Sequence, residues 1–91
     1  MSNSRVTMRR IRVGNSRGGF PIYITKEDED DEWHFDHMCI RRDAVYIRIR
    51  PQLSDIHQVV ETDDGVTVNP SLLCPDCFLH GWIHSSKWVE A

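Results

Sequence analysis

What this sequence lacks sets its limits. It has no run of about 18 or more apolar residues, so no helical membrane span is expected. The opening "MSNSRVTMRRIRVG" holds neither an apolar stretch nor a small-residue cleavage site, so it does not read as a secretory leader, and a cytoplasmic setting is expected. Cysteine is scarce. Cys39, Cys74 and Cys77 are an odd number that cannot all pair, and disulfides rarely persist in the cytoplasm, so metal or thiol chemistry is favoured over a staple. Basic residues nearly vanish after Pro51, where Lys87 is the only one. With 91 residues the chain reads as one domain, 1–91, whose core is small enough to need reinforcement.

The net charge of -3 conceals an uneven layout. Residues 1–25 carry arginines and no acid, Glu27 to Glu32 are six consecutive carboxylates, and "RRDAVYIRIR" is basic again. Adjacent like charges repel, so residues 26–32 are expected to form a solvated, mobile acidic loop.

Strand signals dominate. "RVTMRRIRV" alternates, with a slip at Arg9-Arg10 that suggests a bulge; "NSRGG" is a turn; "FPIYIT" is a second strand with Pro21 at an edge or a start. "WHFDHMC" places Trp33, Phe35, His37 and Cys39 on one side, and "AVYIRIR" sets Val45, Ile47 and Ile49 against Tyr46, Arg48 and Arg50. "HQVVET" and "VTVN" flank the turn "DDG", where Asp64-Gly65 would supply positive φ. "HGWIH" and "WVE" flank "SSK" as a last hairpin. A short helix over "PQLSDIHQVV", capped by Ser54, is the weaker alternative there. The fold class is therefore all-β: zinc-ribbon-like antiparallel hairpins around one structural metal site, with Trp33, Trp82 and Trp88 filling the core.

The metal expectation starts at "CPDC". A redox pair needs a helix after it to lower a thiol pKa, and "FLHGWIH" has β character, so a knuckle presenting two thiolates is the better reading. Zinc takes four Cys or His ligands in a tetrahedron. Cys39, Cys74 and Cys77 fill three seats. The fourth is open between His37, two residues from Cys39 on the same strand face, and His80, three residues past Cys77. The histidine left over would hydrogen-bond a ligating sulfur. His34, His57 and His84 read as surface or strand residues.

"HFDHMC" followed by "DDGVTVNPSLLCPDCFLHGWIHSSKWV" resembles a family of small phage and bacterial proteins that share an HxC…CxxCxxHGW, zinc-ribbon-like pattern. Pro70-Ser71, Cys77, His80, Trp82-Ile83 and Trp88-Val89 carry the resemblance, which spans about residues 33–90. It implies a compact β-rich zinc-binding domain and favours His80 as a ligand, without implying an activity. Relatives carry glycine where this chain has Phe78, and phenylalanine at positive φ would be strained.

No catalytic pattern stands out. "VGNSRGGF" lacks the phosphate-loop spacing, the carboxylates are contiguous rather than paired across a cleft, and His84, Ser85 and Ser86 lie in a turn. The expectation is a non-enzyme: a phage-type accessory module that binds a host or phage protein. The alternative is nucleic-acid binding through Arg9, Arg10, Arg12, Arg48 and Arg50, with Arg41 and Arg42, against which stands a pI near 5.9. Edge strands in so small a sheet leave room for a dimer.

Overall fold

The structure, a computed structural model, describes residues 8–27, 32–40 and 45–91. Every regular element among them is a strand: β1 (Met8–Asn15), β2 (Pro21–Glu27), β3 (Trp33–Ile40), β4 (Tyr46–Ile49), β5 (Gln58–Thr62), β6 (Gly65–Leu73), β7 (His80–His84) and β8 (Lys87–Glu90). They form two four-stranded antiparallel meanders, β1-β2-β3-β4 and β5-β6-β7-β8. The two-residue period of the sequence produces this directly, because alternate apolar side chains turn to one face. Ile22, Ile24 and Phe35 of the first sheet share one buried cluster with Val66, Val68, Leu72 and Ile83 of the second. Phe35 stacks on Trp88 across the sheets at 5.6 Å between ring centroids. At Gly81 the sheet has no room for a Cβ, which would meet the Trp88 ring and the Val89 carbonyl.

β3 divides its partners. Trp33 to Asp36 pair with β2, and His37 to Ile40 pair with β4. Its inward residues Trp33, Phe35, His37 and Cys39 are all buried, as the alternation predicts.

Several local expectations are corrected. The irregularity in β1 lies between Arg12 and Gly14; Arg9 and Arg10 pair in regular register, so Met8 turns outward and is exposed. β2 continues through Glu27, whose carboxylate lies 3.7 Å from Arg50, so the acidic loop does not begin at residue 26. Residues 28–31 of that acidic run lie outside the described residues, as do Arg41 and Arg42. No helix forms over residues 51–60; Ser54 instead closes a turn, its carbonyl accepting from the His57 amide at 2.9 Å. In the Thr62–Gly65 hairpin Gly65 takes φ +125 and Asp64 does not take positive φ. In the last hairpin Ser85 and Ser86 both do. β6 runs past Asn69, where the sequence suggested an end, through a cis Asn69–Pro70 bond and a register shift to Leu73. Trp33 is buried and Trp88 half-buried, whereas Trp82 faces out at 42% exposure.

Candidate metal centre and serine–histidine pair

β6 and β7 are joined by the six-residue knuckle Cys74–Leu79. The Cys74 amide donates to the Leu79 carbonyl at 2.9 Å and the Phe78 amide to the Cys74 carbonyl at 2.8 Å. Closing so short a loop requires a left-handed residue, and Phe78 takes that conformation at φ 60. Its ring is 76% exposed, so little packing compensates the strain. An L-residue in this region costs about 1–2 kcal/mol, and glycine removes most of that while adding freedom to the unfolded chain. Phe78→Gly should therefore raise stability by about 1 kcal/mol, read as a higher denaturant midpoint at unchanged slope. A lower midpoint would show that the ring holds the knuckle.

The knuckle brings Cys74 and Cys77 against the inner face of β3. The ligand atoms of His37, Cys39, Cys74 and Cys77 all lie within 4.8 Å of one another, the first three residues buried and Cys77 half-buried. Cys39 and Cys74 sulfurs are 3.8 Å apart. The set draws two residues from the first sheet and two from the second sheet's hairpin, so a bound ion would pin one to the other. His37 is prepared for it. Its Nδ1 lies 3.2 Å from the Phe35 carbonyl, which can only accept, so Nδ1 carries the proton and Nε2 keeps its lone pair. That Nε2 is buried with no hydrogen-bond partner. A bare nitrogen beside three thiols is an expensive arrangement for a core and a natural one for a cation. Burial lowers the His37 pKa, favouring the neutral ligand form. Burial, then the neighbouring thiols, pushes Cys39 up to about 12, and burial raises Cys77. These four residues can hold a metal ion.

His80 is not in this group. Gly81 and Ile83 turn inward, so His80, Trp82 and His84 face outward. On β6 Leu72 turns inward, and Ser71 and Leu73 face outward. Leu73 pairs with His80, making Ser71 and His80 diagonal neighbours on the outer face. His80 Nε2 lies 3.1 Å from Ser71 Oγ. The ring of His80 sits 5.5 Å from that of Trp82. A second histidine braces the same strand. His57 Nε2 lies 3.1 Å from the Ser71 carbonyl, so this nitrogen carries the proton, and Nδ1 lies 2.8 Å from Ser54 Oγ, whose hydroxyl donates to it in the neutral form. A serine hydroxyl within hydrogen-bond reach of an imidazole nitrogen is the first requirement of a serine nucleophile, and Ser71 with His80 and Ser54 with His57 both meet it.

Residues 14–91 match the model of the family described as "Bacterial ubiquitination-like system serine protease (BubE)". The chain belongs to the BubE family. That description overturns the expectation of a non-enzyme, since BubE is named as a serine protease. No curated protein and no solved structure matches the chain.

With BubE as the frame, the residues that sequence reasoning passed over are Ser71 and His57. Ser71 entered only as half of a "PS" segment. The signal was the symmetry S-x2-C-x2-C-x2-H, which places Ser71 three residues before Cys74 and His80 three after Cys77. The arginines are elsewhere. Arg10, Arg12, Arg48 and Arg50 share the outer face of the first sheet, where Arg48 Nε lies 2.8 Å from buried Asp36 and Arg10 Nε 4.0 Å from it. Both guanidiniums also lie against the Tyr23 ring. Arg9 pairs with Glu61, and Arg12 donates to Asn15.

Proposed function

We propose that this chain is a serine peptidase of a bacterial ubiquitination-like system, with Ser71 as nucleophile and His80 as its general base. The observation that carries the reading is the 3.1 Å approach of His80 Nε2 to Ser71 Oγ on one open sheet face, in a chain whose family is named for this chemistry. His80 takes the Ser71 proton as Oγ adds to the scissile carbonyl, then returns it to the leaving amine; water resolves the acyl-enzyme by the same route. Trp82 flanks the imidazole on its own strand, and His57 fixes the backbone that presents Ser71.

His37, Cys39, Cys74 and Cys77 are proposed to hold zinc, for which three sulfurs and one nitrogen are a usual tetrahedral set. Four protein ligands leave no seat for water, so the ion would be structural and the acyl chemistry would belong to Ser71 and His80. It sits under the hairpin whose two strands bear the pair. The protein partner is then the substrate, met in the cytoplasm of a bacterium or a phage-infected host. Nucleic-acid binding has a shared arginine face in its favour, but the ion pairs with Asp36 and Glu27 already engage three of those guanidiniums.

A fluorophosphonate probe tests the nucleophile, because it captures only a serine made reactive by its neighbours. One adduct per chain is expected, mapping to Ser71 and absent from Ser71→Ala. A folded, metal-replete protein that stays unlabelled would remove Ser71 from this role.

A further inference from the structure

β5 accompanies β6 only as far as Gln58 opposite Asn69, whereas β6 continues to Leu73. Past that last pair, residues 51–57 leave the strand. Among the described residues, no main-chain hydrogen bond or strand pairing joins them to residues 71–73. Beside this stretch lies a cavity of about 310 Å³, lined by Leu53 and His57, by Leu72 and Leu73, and by Phe35 and Ile49. Its lining is mainly apolar, and Asp76 is the one carboxylate among the lining residues. His57 belongs to both places: it lines the cavity and holds the Ser71 carbonyl. His57 thus caps the Ser71 carbonyl on this edge of β6, and strand alternation turns the main-chain groups of Leu73 to the same edge, where among the described residues no main-chain hydrogen bond meets them.

We infer that this slot takes an extended, apolar segment of the protein substrate, which pairs with the free main-chain groups of Leu73 at the end of β6, next to the His57-capped carbonyl of Ser71. The inference rests on the peptidase reading for its substrate and on the slot's own geometry for its chemistry. An unpaired strand edge offers a peptide main-chain hydrogen bonds, and neighbouring pockets then sort its alternate side chains. Phe35, Ile49, Leu53 and Leu72 in its lining favour a branched aliphatic side chain. Asp76 at the wall disfavours an acidic one by like-charge repulsion.

Two peptides of roughly ten residues would test this, one with a Val-Leu-Val centre and one with aspartates in those places. Backbone amide NMR of the full chain in the Ser71→Ala form, where no turnover occurs, reads where each binds. The apolar peptide is expected to shift amides at 52–54, 57 and 72–75, and the acidic peptide to leave them in place. Gln52→Trp at the slot mouth should weaken that response about ten-fold or more. Leu73→Asp, at an exposed wall position, should do the same, so neither variant's folding decides the result alone. No response up to about 1 mM, equal response to both peptides, or shifts confined to other surfaces would overturn the slot. Fluorophosphonate labelling of the wild type keeps the two ideas apart. Labelled Ser71 without slot shifts sinks the slot, and slot shifts without labelling support the peptide site while sinking the nucleophile.

Discussion

In the His80→Ala variant, kcat/KM for a peptide substrate falls by about 10²- to 10⁴-fold while the bound metal stays at the wild-type level. Both halves of that result matter, because the sequence offered His80 as a metal ligand and the fold sets it against Ser71 instead. A ligand's removal would empty the site. A base's removal leaves the ion in place and slows only the step in which Oγ loses its proton. His37→Ala should behave in the opposite way: it takes the one nitrogen from the sulfur cluster, so metal is lost first and activity follows. Ser71→Ala should cost at least as much rate as His80→Ala. The double variant should cost little more than Ser71→Ala alone, since two groups that act on one proton transfer are not additive. Metal loss in His80→Ala would return that histidine to the ion and leave Ser71 without its activator.

The placement of these residues was partly legible in the chain. Period-two alternation placed His37 and Cys39 on the buried face of β3, and the knuckle spacing placed Cys74 and Cys77 at a hairpin tip. The choice between His37 and His80 was also encoded, in parity. Ile83 is the apolar residue of "HGWIH" that must turn inward, and His80, an odd number of residues away, must then turn outward. The same argument from Leu72 turns Ser71 outward. It was hidden because Pro70 read as the end of a strand, whereas β6 runs through it with a register shift between Val68 and Leu72. The pair itself could not be read from local pattern. Its members are nine residues apart, joined only when the hairpin closes, and serine next to proline is an ordinary turn signal. His57 was harder still, because its contact to the Ser71 carbonyl is a side-chain bond across a loop with no period to announce it.

Removing the metal is expected to have the largest effect of all. A structural ion of this kind contributes about 10–16 kcal/mol in small zinc domains, against a total stability of about 5–15 kcal/mol for a typical domain. Here the four side chains join the inner face of β3 to the β6–β7 knuckle, so they connect the two sheets through the core. Without the ion that core keeps three thiols and an unpartnered imidazole nitrogen, groups that would gain by reaching water. A strong chelator, or Cys39→Ser, should therefore unfold the protein at room temperature, seen as a shift to the red in the emission of Trp33 and Trp88 as they leave the core. Fluorophosphonate labelling of Ser71 should disappear over the same chelator range, although neither Ser71 nor His80 touches the cluster. The reason is register: Cys74 and Cys77 fix the loop that sets Leu73 opposite His80, and one step of slippage would turn Ser71 or His80 to the other face. Adding the ion back should restore fold and labelling together. A chelated protein that kept its fluorescence and its reactive serine would show the sandwich to be self-sufficient and the cluster to be incidental to the pair it underlies.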